Sequence, residues 1–147
     1  MAQRVDSFME DERVHRQNMA DAINSIESRG AGFVGSFTRD TAAASCSVSY
    51  TGVGFKPQGI VFLSNQSTTT ETSVGLDDGT TGRAISKTSV GDAWSIFVGA
   101  SIALVETDGA SSHTGTVTSF DDDGFTIAWT KTGTPTGTGT VFYLALR

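Results

Sequence analysis

The chain of 147 residues is poor in the side chains that build covalent or metal-bound frameworks: one Cys, two His and two Pro. A lone Cys46 cannot close an internal disulfide, and with only His15 and His113 beside it one chain cannot assemble a Cys/His zinc site. Basic residues are also few, with ten Lys and Arg against sixteen Asp and Glu and a formal net charge of −6. A phosphate-neutralising face needs clustered cations, so nucleic acid is not an expected partner. No apolar run approaches the roughly 20 residues needed to span a bilayer, so no membrane is expected either. The first residues are acidic and amphipathic, unlike the basic start and apolar stretch of a secretory signal.

What the chain has in quantity is Thr, Ser and Gly, at 21, 17 and 17 residues. They are distributed unevenly. Residues 1–29 contain no Gly, Pro or Thr, but six acids and four Arg; every Gly and Thr, both Trp and eight of nine Phe come later. The length suits one domain with a modest core. The composition predicts an N-terminal helix over 1–29, a linker with lead-in strands over 30–50, and a β-domain over 51–147. Gly30-Ala31-Gly32 marks the helix stop, because Gly accepts the left-handed backbone that ends a helix.

Val5, Phe8, Glu12, His15, Met19, Ala22 and Ile26 recur at alternating spacings of three and four, and Met9 and Ile23 widen the stripe. This is a heptad pattern of nearly four repeats with a polar centre. As one helix it spans about 40 Å at 1.5 Å per residue. It is too polar for a buried core and marginal in isolation. The stripe is therefore expected to pack on copies of itself or on another protein, the alternative being that it folds back on its own β-domain. Val5, Phe8, Met9, Met19, Ile23 and Ile26 are the expected apolar anchor, with Arg13 and Arg16 positioned to meet acidic partner surface.

Beyond Gly30, short runs rich in Thr, Val, Ile and aromatics alternate with turn signals. Strands are expected at Ala44–Tyr50, Gly59–Ser64, Thr68–Leu76, Arg83–Val90, Ala93–Val105 bent at Gly99, Gly115–Phe120, Phe125–Trp129 and Thr140–Leu146, with a short lead-in piece at Ala31–Phe37. Gly59–Ser64 is continuously apolar, as a central strand would be. Asp78-Gly79, Asp108-Gly109 and Asp123-Gly124 supply hairpin turns. The fold expected is mainly β: a jelly-roll-like antiparallel β-sandwich preceded by one amphipathic helix. Alternation places Cys46 with Val48 and Tyr50 on an inward face, as a small buried hydrophobe.

The motifs that could carry chemistry are weak. Asp121-Asp122-Asp123-Gly124 lacks the alternating ligands and closing Glu of a calcium loop. Gly52-Val53-Gly54 and the stretch from Gly133 to Gly139 lack the Lys-Ser/Thr ending of a phosphate loop. His113 has Asp108, Ser111 and Ser112 nearby in an apparent turn, where a catalytic triad is not formed by sequence neighbours. Trp94, Trp129, Tyr50 and Tyr143 could stack on a sugar, although aromatics at alternating strand positions more often fill a core or subunit interface. No enzymatic activity, cofactor or metal is expected.

Thr51-Gly52-Val53-Gly54-Phe55-Lys56-Pro57-Gln58-Gly59-Ile60-Val61-Phe62 resembles a strand opening of small tailed-phage virion structural proteins. Ser73 to Gly79, Ser119 to Trp129 and the ending Tyr143-Leu144-Ala145-Leu146 are similar to the same group, over roughly residues 51–147. The resemblance implies a capsid decoration (cement) protein, made in the host cytoplasm and placed on the outer surface of the phage head. It would bind the major capsid protein of the same phage, as a homotrimer. A tail-fibre or receptor-binding module attached to the virion by its N-terminal helix is the alternative it leaves open.

Overall fold

A computed structural model of the chain describes residues 2–27, 30, 32–67, 71–87 and 93–147, with helical side chains described for 9–22. Two compact units divide it, Met1–Ala31 and Gly32–Arg147.

The first unit is one helix, α1 (Ala2–Glu27). Pairs one turn apart support it: Arg13 Nη2 to Glu10 Oε1 at 3.1 Å, Arg16 Nη2 to Glu12 Oε2 at 3.2 Å, and Gln17 Nε2 to Asp21 Oδ1 at 2.9 Å. Such pairs add a few tenths of a kcal/mol each to an exposed helix. They do not replace burial of the stripe.

Among its described residues the second unit has ten strands: β1 (Gly32–Asp40), β2 (Cys46–Thr51), β3 (Gly59–Gln66), β4 (Thr72–Asp77), β5 (Gly82–Lys87), β6 (Trp94–Val98), β7 (Ile102–Val105), β8 (Ser112–Asp121), β9 (Gly124–Thr132) and β10 (Thr138–Leu146). They form two antiparallel sheets, six-stranded β1-β10-β3-β4-β5-β6 and four-stranded β2-β9-β8-β7. The sandwich expected from the strand pattern is present. Its sheets are built from two up-and-down runs, β3 to β6 and β7 to β9, flanked by β1, β10 and β2.

One core joins the sheets. Ile60, Phe62, Val141, Tyr143 and Ala145 of the larger sheet meet Ile102, Leu104, Val117, Phe125, Ile127 and Trp129 of the smaller. An aromatic stack runs through it: Phe37 lies on Tyr50 with ring centroids 3.9 Å apart, Tyr50 on Phe125 at 5.5 Å, and Tyr143 meets Phe125 edge-on at 5.0 Å. Away from this stack, toward β4 and β5, the inward residues are small or polar. There β7 lies close against the larger sheet, all four of its residues buried. A methyl added at Gly75 would collide with the Ser101 carbonyl oxygen just before β7. Buried Asp77 accepts a hydrogen bond from Ser101 Oγ, and Ser64 and Ser73 bond through their hydroxyls at 2.6 Å. Asp77, Ser101, Ser64 and Ser73 are thereby paired at short range, as a dry interior requires.

Three expectations change. The lead-in piece is a full nine-residue strand, paired with β10 from Gly32↔Leu146 to Asp40↔Thr138. Gly35 does not interrupt it, because the Tyr143 ring occupies the space its Cβ would need. Cys46 is exposed rather than buried; it opens edge strand β2, where no further strand covers it. His113 belongs to β8 rather than to a turn and is fully buried.

Candidate binding surface

On the helix, every described side chain from Met9 to Ala22 is exposed. Met9 is 62% and Met19 53% accessible. Arg13 and Arg16 are engaged in the exposed pairs with Glu10 and Glu12. Pairs of this kind are worth little and exchange partners readily. The side chains of Val5, Phe8, Ile23 and Ile26, also expected in the anchor, lie outside the described residues.

The β-unit carries a second apolar surface that the strand pattern did not single out. Strand register aligns the outward side chains of the larger sheet into rows. Val34, Leu144, Val61, Leu76, Arg83 and Val98 form the first row, and Ser36, Phe142, Leu63, Val74, Ile85 and Ile96 the second. A third row, Thr38, Thr140, Asn65, Thr72, Lys87 and Trp94, is polar except at its end. Ile96, Val34 and Val98 are 75%, 74% and 73% accessible, and Leu76, Phe142 and Leu63 remain more than half so. No acid lies in these rows. Arg83 turns its guanidinium back, Nη1 donating to the Gly82 carbonyl at 2.8 Å, so its stem adds apolar cover.

The signal for this face was present in the sequence. Ile60-Val61-Phe62-Leu63 and the run from Val141 to Leu146 are apolar at successive positions, not alternate ones. In a strand this means that both faces are apolar. Here the inward residues Ile60 and Phe62 are buried, while Leu63 on the other face is open.

The remaining candidates resolve into structural roles. Asp123 holds the loop before β3: its Oδ1 accepts from Gly54 N at 2.6 Å and its Oδ2 from Gly52 N at 3.1 Å. Both glycines have positive φ, 92° and 80°, so the loop needs residues without a Cβ. Phe55 of the same loop packs on the core and lies under the Arg147 guanidinium, 4.5 Å from the ring centroid. The segment from Thr51 to Gln58 is thus a stapled loop leading into β3. Asp121 accepts from Ser119 and Thr126 hydroxyls, and no cluster of metal-ligating side chains occurs among the described residues. Asp108 accepts from the backbone N–H groups of Ala110 and Ser111, each at 2.9 Å. These bonds hold its carboxyl below the usual range and occupy it within its own turn.

His113 sits in an arrangement no motif announced. Its Nδ1 lies 2.9 Å from the Thr41 carbonyl, which can only accept, so Nδ1 carries the hydrogen. Nε2 is then the acceptor toward Arg39 Nη2 at 3.4 Å. Arg39 also donates to the Ala44 carbonyl at 3.0 Å and to Cys46 Sγ at 3.4 Å, and stacks 5.2 Å above the Trp129 ring. Arg39 therefore closes the open end of the sandwich between β1 and β2. Burial pushes the His113 pKa down, and the adjacent guanidinium works in the same direction. No substrate-accessible base results. The aromatics proposed for sugar stacking separate likewise: Trp129 and Tyr143 are core residues at 2% and 7% accessibility, and Trp94 alone is an open ring at 62%.

No protein-family profile, curated protein or solved structure matches the chain.

Proposed function

We propose that this chain is a non-enzymatic structural protein of a phage particle, a capsid decoration protein that binds the assembled head shell as a homotrimer and stabilises it. The supporting observation is the amount of apolar surface left open by a chain whose β-unit already has a complete core. Helix and sheet each present apolar side chains that a solitary soluble protein would bury. In this reading the helix is the shell anchor, with Met9 and Met19 as described contacts and Arg13 and Arg16 beside them. Binding that engages assembled shell but not dispersed subunits favours assembly by mass action.

Co-sedimentation with expanded heads of the parent phage tests it. Deleting residues 1–29 is expected to abolish head binding while the sandwich keeps its far-ultraviolet circular dichroism. Unchanged binding by the truncated chain would refute the anchor. The open Trp94 supports a second reading, a receptor-binding module on the tail. Specific binding on a glycan array, lost in Trp94→Ala, would favour that module over the shell protein.

A further inference from the structure

We infer that the outward face of the six-stranded sheet is the interface between copies of this chain. The inference rests on the assembly reading's claim that copies of this chain associate; a face packed on itself pairs copies two by two, so a trimer would need a further contact beyond this one. The first argument is extent. Weighting its eleven large apolar side chains by their accessibility, the face offers on the order of 1,000 Å² of apolar surface. That exceeds the roughly 800 Å² each partner contributes to a stable interface of standard size. A stable homo-oligomer could be built on this face alone.

The second argument is chemical. The two apolar rows contain one charged residue, Arg83, whose head group is turned onto its own backbone. A surface so depleted of charge resembles the interior of a permanent interface more than a transient docking patch. Its partner must also be flat, apolar and nearly uncharged. The outward face of the smaller sheet fails this test, because it presents Ser47, Ser49, Thr114, Thr116 and Thr126. The helix fails it too, because its apolar stripe is narrow and is interrupted at its centre by Glu12 and His15. The surface on the molecule that meets the requirement is the same face of another copy. Homo-oligomers are the commonest assemblies of soluble chains. Val34 at one edge and Ile96 at the other are among the most open residues of the sheet, so the contact would use its full width.

Light scattering coupled to size exclusion, on the full chain at micromolar concentration, tests the inference. The wild type is expected at a multiple of the 15.4 kDa chain mass. Leu63→Lys/Val74→Lys and, independently on other strands, Ile85→Lys/Ile96→Lys are expected to run as monomers. Circular dichroism and Trp129 fluorescence report whether each variant keeps its fold. Thr116→Lys/Thr126→Lys on the opposite face should keep the wild-type mass. A monomeric wild type overturns the inference, whatever else then covers the face. A folded face variant with undiminished mass overturns it as well. A monomeric wild type would also remove the trimer from the reading above, whereas shell binding itself stands or falls separately, by head co-sedimentation of the helix deletion. Conversely, loss of oligomers in the face variants supports the interface even if the chain binds no heads.

Discussion

The two outward faces of the sandwich are made by the same backbone pattern and differ in almost every side chain. Across the smaller sheet, Ser49 faces Thr126 in register and Ser47 faces Ala128. The hydroxyls of Ser49 and Thr126 bond to each other at 2.8 Å. Across the larger sheet, the corresponding positions are Val, Leu, Ile and Phe. Both faces suit a strand backbone, since Thr and Val have similar β-propensity. The difference therefore does not serve to make strands. It separates a face that water can finish from one that another protein surface must finish.

The strongest challenge to this contrast is within a single strand. Phe62 and Leu63 are neighbours on β3, one buried in the shared core and the other open. Phe62→Ala is expected to cost about 3–5 kcal/mol of stability, the range for a buried aromatic, measured by urea denaturation. Leu63→Ala is expected to cost under about 1 kcal/mol in dilute, dissociated protein, and to weaken self-association instead. Equal losses of stability in the two variants would mean that the outward face is already covered within one chain.

A smaller effect is expected where the sheets approach most closely. Gly75→Ala must displace the Ser101 backbone, and overpacking of this kind costs about 1–3 kcal/mol. A thermal midpoint unchanged by the substitution would show that β7 is looser than described. On the hydroxyl-bearing face, Thr116→Lys/Thr126→Lys removes hydroxyl bonds to the Gly99 carbonyl, Ser49 and Asp121 and should cost about 0.5–1.5 kcal/mol for each bond lost, without changing self-association.

The last test uses pH. Burial lowers the His113 pKa in the folded chain, so below the unfolded value near 6.5 the unfolded chain takes up more protons. This residue's contribution is present above about pH 6.5 and is lost as pH falls through the window between the unfolded and the lowered folded pKa. The thermal midpoint of the wild type should fall between pH 7.5 and 5.5, and less in His113→Gln. An identical slope in both would remove His113 as the source.

The sequence made some of this legible and concealed the rest. Local signals sufficed for the helix, most strands and the Asp-Gly turns at Gly79 and Gly109, whose φ values are 84° and 67°. Strand pairing joined residues that local patterns cannot connect, as when Gly32 meets Leu146. Arg39 and His113 stand 74 residues apart, and only the corner between β1 and β2 brings the guanidinium over Trp129. Cys46 had the alternation of an inward residue, but alternation does not show that its strand is an edge. The continuous apolar run of β3 identified a central strand correctly. That only one side would be covered depends on the number of layers: among the described residues one opposing sheet packs on the inward face of β3 and β10 and leaves the outward face open.

The Asp77 and Ser101 bond has a consequence for how the sheets choose their alignment. Strand β7 is short and uniformly greasy, so hydrophobicity alone would let Ile-Ala-Leu-Val slide by a residue over β4 and β5. A slip would set an aliphatic side chain against Asp77 Oδ2 and take away its Ser101 donor, while Oδ1 keeps the Gly79 N–H; leaving a buried acceptor unpaired in this way costs about 1–3 kcal/mol. The one ionisable group at this crossing thus works as a keyway, admitting a single seating of the strand among several that oil-like contacts would accept equally.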